Sequence, residues 1–265
     1  LILIAGVHVM IIHKTTGNSY IVAVILIITT FLLVLYATFL TRSGILGNSS
    51  VHSFTDLGMS GQLLVFLLVF VFLSIGLIAW RWKLMPRSAK DEEIYTREFW
   101  MFIGSLVLVI SSFQITLTTS IPVFNKIFGA NMAPPADVIG HYNKWQMPMA
   151  IIIGILTGLA QMLKYKTNKP EAIRKVGVYA GISLVVTVVL FFAFDLKNYL
   201  YIGLLLAATF GIIANTALLL PFLKGKIKLA GASVAHIGFG ILLMGVLVSS
   251  ANKKVISINE TGEAL

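Results

Sequence analysis

The sequence predicts an all-α fold, a polytopic transmembrane helix bundle of about eight membrane segments with a short interfacial helix. Two observations lead there. Of 265 residues, 58% are hydrophobic and only 11% charged, where a soluble domain carries about a quarter charged residues. The deficit is also localised: residues 20–40, 99–117, 176–194 and 199–220 contain no Asp, Glu, Lys or Arg. Each run can cross a hydrocarbon layer of about 30 Å at about 1.5 Å per residue.

Taken in order, residues 1–12 read as the back half of a first span, and residues 20–40 as the second. Residues 63–80 form the third and residues 99–117 the fourth. The fifth, residues 148–163, is short but uncharged. The last three are residues 176–194, 199–220 and 230–251. Between the fourth and fifth, Ile121, Phe124 and Phe128 recur at helical spacing. They predict a short helix on the membrane surface, broken by Pro134 and Pro135. The chain starts at Leu1 inside an apolar run and stops in the polar stretch NKKVISINETGEAL. It is therefore expected to be a fragment of a longer protein, and residues 1–12 lack the basic n-region of a signal peptide.

Lysine and arginine set the orientation. The connections after the first, third, fifth and seventh spans, with their mates across the bundle, divide the basic residues 14 to 6 between the two sides. The positive-inside rule puts the richer side in the cytoplasm. The loop with Arg42 and His52, the surface helix and the polar tail then face outward. The net charge of +10 reflects these loops and not a nucleic-acid partner. The acidic residues Asp91, Glu92, Glu93 and Glu98 fall among basic ones in an inward loop, as a solvated charge mixture. None lies mid-membrane, which argues against a cation transporter of the usual kind.

The chain has no cysteine, which removes disulfides, thiolate metal sites and a CxxCH attachment motif. Any metal or haem would be held by histidine. Of five histidines, two lie within spans. His8 is six residues before Lys14, and His236 eight residues after Lys228. On oppositely directed helices they fall about 9 Å and about 12 Å from the same membrane edge. Two imidazoles at one depth suit a haem with two histidine ligands. An interhelical hydrogen bond or a polar cavity lining are the other readings. Ala232 and Gly240, four residues either side of His236, leave room for a flat macrocycle or for close helix packing. His13 reads as an interface residue and His141 as a headgroup-level loop residue beside Trp145. His52 sits outside, with Arg42 able to pair with a carboxylate or propionate.

The stretch TFLTRSGILGNSSVHSF at residues 38–54 closely resembles a signature of the CcmF haem-lyase family of cytochrome c maturation, within the haem-handling superfamily that includes CcsA-type proteins. REFWMFIGSLVLVISSFQITLTTSIP, from Arg97, is similar to that family's Arg-Glu-led span, and AHIGFGILLMGVLVSS, from Ala235, to its last span before a periplasmic domain. His8 precedes Thr38 by 30 residues, as the family's span histidine does. The resemblance implies a haem b ligated by His8 and His236. It also implies a delivered haem on a periplasmic Trp-rich surface, with His52 as its axial and catalytic ligand and Arg42 near a propionate. The Trp-rich motif and an earlier histidine would lie upstream of Leu1. It further implies thioether formation onto CxxCH of apocytochrome c, with a haem chaperone and other maturation subunits as partners, in a bacterial inner membrane with the His52 loop periplasmic. Residues 1–251 are then a transmembrane haem-handling domain, truncated at its N-terminus, and residues 252–265 the start of a periplasmic segment. The competing classes are a small-molecule permease gated by His52 and Arg42, and a membrane scaffold that docks assembly partners.

Overall fold

A computed structural model describes residues 1–47, 58–87, 94–166, 170–193, 196, 198–225 and 227–251. Among them the regular structure is helical throughout. The elements are α1 (Ile2–Thr16), α2 (Tyr20–Arg42), α3 (Ser60–Arg81), α4 (Arg97–Thr119), α5 (Ile121–Phe128), α6 (Val138–Met162), α7 (Pro170–Ala193), α8 (Tyr199–Phe222) and α9 (Gly231–Ala251). Seven are long and apolar enough to cross a membrane, and α1 is a shorter apolar helix. The chain is a multi-pass membrane protein.

The fifth span differs from its expectation. Helix α6 starts at Val138, ten residues before Pro148, and carries Pro148 inside it. Proline removes one backbone donor and favours a helix start, so reading it as a boundary shortened the span. The helix continues through it and takes His141 and Trp145 out of the loop. The surface helix is found as α5, with Pro122 in its first turn and Gly129 at φ 63° ending it. Val123 is its buried residue, while Ile127 and Phe128 are exposed. Beyond it, Asn125 brackets Met132: its Nδ2 donates to the Met132 carbonyl at 2.9 Å and its Oδ1 accepts the Met132 N–H at 3.0 Å.

The chain divides into two compact units, with the boundary inside α6. The first comprises Leu1–Ile153 and Leu163–Asn168. Its core gathers Ile2, Ala5 and Val9 of α1, Ala23 and Leu26 of α2, and Leu108 of α4. A second cluster of Phe39, Leu40 and Val123 joins the end of α2 to α5. There Ser120 Oγ donates to the Thr116 carbonyl at 2.5 Å, so the Tyr36 hydroxyl donates to Ser120 Oγ at 2.6 Å. Glu98 is a correction. It is buried in the first turn of α4, not solvated among the loop charges, and its Oε1 accepts the Lys166 N–H at 2.7 Å. The Arg97 N–H donates to the Lys164 carbonyl at 3.0 Å, so residues 164–166 fold back over the start of α4. Asp91, Glu92 and Glu93 lie outside the described residues.

The second unit is Gly154–Met162 with Lys169–Leu265. Helix α8 is its centre, with nine buried residues from Leu204 to Asn215. Small residues let its neighbours approach. A Cβ at Gly154 would stand 2.9 Å from Ala207 Cβ, and one at Gly158 would stand 2.7 Å from the Phe210 ring. Helix α7 packs through hydroxyls: Ser183 and Thr187 are buried, and Thr187 Oγ1 lies 2.9 Å from Thr209 Oγ1. Close approach plus hydroxyl pairing is how helices associate where lipid removes the hydrophobic drive between them.

Candidate functional site

His8 stands at the flank of the buried face of α1, which carries Ala5, Val9 and Ile12. Its Nδ1 donates to the Ile4 carbonyl, one turn back, at 2.8 Å. A carbonyl only accepts, so the ring proton is on Nδ1 and the lone pair is on Nε2. This is the arrangement of metal-binding histidines, where a second hydrogen bond orients the ring and raises the basicity of the ligating nitrogen.

His236 is half-buried on α9. It shares a face with Ser233, Gly240, Leu243 and Leu247, all buried, and its Nδ1 is itself a buried atom. The imidazole is thus carried by the packed side of α9. The two readings of the flanking small residues separate here. A Cβ at Gly240 would meet Ile212 Cγ1 at 2.7 Å and the Ala208 carbonyl at 3.1 Å. Gly240 therefore seats α9 against α8 and does not open space for a macrocycle. Ala232 is exposed. His8 belongs to the first unit and His236 to the second, each described within its own unit.

Of the remaining candidates, Arg42 is the last residue of α2 and is exposed. His52 lies outside the described residues, as do residues 252–265. His13 lies in the last turn of α1. Its Nδ1 donates to the Asn18 carbonyl at 3.2 Å in the turn that Gly17, at φ 83°, allows between α1 and α2, and its ring leans on Tyr20 at 5.0 Å.

His141 is not a loop residue. On α6 it enters a polar chain with α4. Ser111 Oγ donates to Gln146 Oε1. Gln146 Nε2 donates to the Ser111 carbonyl at 3.3 Å and to Gln114 Oε1 at 2.6 Å. Gln114 Nε2 then faces Thr118 Oγ1 and His141 Nε2, each at 3.2 Å. An amide nitrogen only donates, so His141 Nε2 accepts and its proton is on Nδ1. Sequence reasoning missed Ser111, Gln114 and Gln146, and also Asn215 of α8. Asn215 is fully buried, with Nδ2 donating to the Gly211 carbonyl at 2.8 Å and the Thr157 carbonyl at 3.2 Å. The available signal was an amide side chain inside an uncharged run; attention to charge and histidine alone passed over it.

Among characterised proteins, the chain is similar to the cytochrome c-type biogenesis protein CcmF of Pseudomonas fluorescens. The two are 27% identical over 266 aligned residues, covering 94% of this chain and 38% of that protein. The CcmF of Escherichia coli K12 is 27% identical over 235 residues, covering 85% of this chain and 35% of that protein. The cytochrome c-type biogenesis protein CycK of Bradyrhizobium diazoefficiens is 26% identical over 246 residues, covering 84% and 36%. The chain thus spans little more than a third of the length of these relatives. No family model and no solved structure matches it. With the signature at residues 38–54 inside a chain aligned along nearly its whole length, the protein is similar to CcmF-type cytochrome c biogenesis proteins.

Proposed function

We propose that the chain is part of the membrane region of a haem-lyase subunit in cytochrome c maturation, and that His8 and His236 would hold a haem b within the membrane. The observation that carries the reading is the hydrogen bond from His8 Nδ1 to the Ile4 carbonyl. It puts the lone pair on Nε2 and holds the ring in one orientation, as an iron ligand requires. The place of His236 on the packed side of α9 supports the same role. Relatives named for cytochrome c biogenesis support the pathway. When bound, the haem b would supply an electron to the delivered haem iron. The chain's own residues do the rest. Two neutral imidazoles in an apolar setting would set the iron's potential.

In this reading His52 ligates the delivered haem on the periplasmic side and Arg42, at the end of α2, pairs with a propionate. Two thioether bonds form between the haem vinyls and the thiols of CxxCH in apocytochrome c. The thiols belong to the substrate, which is consistent with a cysteine-free chain. A haem chaperone, the apocytochrome and other maturation subunits are the partners, in a bacterial inner membrane. The test is complementation. A strain lacking its own CcmF-type protein is supplied with the full open reading frame that encodes this chain, and covalent haem in its c-type cytochromes is stained on denaturing gels. Restoration by the wild type, with a loss of at least tenfold for His8→Ala, His236→Ala and His52→Ala, supports the reading. Equal staining from all three variants contradicts it.

A further inference from the structure

We infer that the groove between the start of α2 and the end of α3 binds an anionic glycerophospholipid, with an acyl chain along the groove and the phosphate at Arg81. The groove lies wholly within the first unit, and its occupant has no part in the haem reading above.

The two helices run antiparallel and meet at an aromatic contact. Phe31 of α2 and Phe70 of α3 stand edge to face, with ring centroids 5.2 Å apart. Phe31 is eleven residues from Tyr20, and Phe70 eleven from Arg81. Tyr20 and Arg81 therefore come level with each other, about 16–17 Å from that contact. Between the contact and this end, α2 and α3 leave a groove of about 370 Å³. Val24 and Ile28 line it from α2, Leu77 and Ile78 from α3, with Tyr20 and Arg81 at its mouth. Helix α3 has no buried residue, so its side of the groove is open to the bilayer. Inside the hydrocarbon layer such walls offer a polar ligand no partner for its desolvated groups. They suit a chain of methylenes.

The mouth selects the other end of the ligand. Arg81 Cζ lies 4.7 Å from the centroid of the Trp80 ring, which is exposed. The stacking holds the guanidinium beside an aromatic of the kind that settles at a membrane edge. Lys83 and Arg87 follow it, both exposed, and Lys14 in the last turn of α1 is exposed just before α2 begins. Four basic side chains thus gather at one end of the hairpin. The count of basic residues expects this end in the cytoplasm, where the leaflet carries the negative surface potential. A guanidinium presents a fork of donors that matches the oxygens of a phosphate. A zwitterionic headgroup brings its own ammonium against these cations, whereas a headgroup with net negative charge does not. Any surface arginine meets bulk headgroups. The difference here is the apolar groove directly beneath the charge, which orders one chain of the same lipid.

The test is lipid retention. The full-length protein is purified in mild detergent and titrated with phosphatidylglycerol, or with phosphatidylcholine of the same acyl chains, and bound lipid is counted by native mass spectrometry. The wild type is expected to hold phosphatidylglycerol about fivefold or more tightly than phosphatidylcholine. Arg81→Gln should weaken phosphatidylglycerol about fivefold, the weight of one basic side chain at an anionic surface. Lys228→Gln, at an exposed position of the second unit, should leave it unchanged. Ile78→Trp, which fills the groove and keeps Arg81, should weaken it at least as much as Arg81→Gln. Equal retention of the two lipids by the wild type overturns the inference without any variant, so a misfolded Ile78→Trp does not protect it. An Arg81→Gln protein that binds like the wild type overturns it as well. So does equal weakening by Arg81→Gln and Lys228→Gln, which would show attraction to overall charge and no site. Displacement of phosphatidylglycerol by an equal concentration of inorganic phosphate would also overturn it, since a free anion has no use for the groove.

Discussion

At the scale of single residues, direction of donation decides what each polar group can do in an interior without water. His8 and His141 both carry the proton on Nδ1 by the accounting above, and they differ in what Nε2 meets. Nε2 of His141 accepts from Gln114 in a chain that ends at Ser111. That chain is sensitive at its middle. Gln146→Leu keeps the volume but leaves Gln114 Oε1 and the Ser111 hydroxyl without their partners. We expect a stability loss of about 1 kcal/mol, the usual size for interhelical polar contacts in membranes, read as a lower midpoint of unfolding in mixed detergent. His8 and His236 were legible in the sequence because an imidazole in an apolar run stands out. Gln114, Gln146 and Asn215 were not, because an uncharged amide gains its meaning only from the carbonyls and amides of other helices. Glu98 was misread for the same reason: its burial comes from residues 164–166, far away in the chain.

At the scale of elements, the glycines sort helices into packed and open faces. Gly154 faces Ala207, a stub attached directly to the backbone, so relief needs a backbone shift. Gly154→Ala is expected to cost about 1–3 kcal/mol by overpacking. Gly177 has nothing within 4 Å of an added Cβ, and Gly177→Ala is expected to be neutral or stabilising by up to about 1 kcal/mol. Thermal unfolding of the two variants side by side checks the contrast; equal midpoints would contradict the packing of α6 on α8. Element count and type were readable from the uncharged runs, since a run of about 20 apolar residues has little alternative to a membrane helix. The start of α6 was not, because Pro148 looks like a boundary when seen alone. What carries the helix past it is the anchoring of Gln146 and His141 to α4.

At the scale of the whole molecule, the distribution of basic residues predicts an orientation that labelling can test directly. With no native cysteine, single cysteines report without background. A membrane-impermeant maleimide added to intact cells whose outer membrane has been permeabilised should label Met132→Cys and spare Arg87→Cys, both at exposed positions. The opposite pattern would place the loop of residue 52 in the cytoplasm and remove it from any periplasmic haem. The central claim, that His8 and His236 are two ligands of one membrane haem, is tested most directly by the absorption spectrum of the dithionite-reduced protein purified from its full open reading frame. The account predicts a low-spin, bis-histidine haem b spectrum that is lost in His8→Ala and in His236→Ala and persists in His52→Ala. An unaltered spectrum in the His8→Ala, His236→Ala double variant would contradict it.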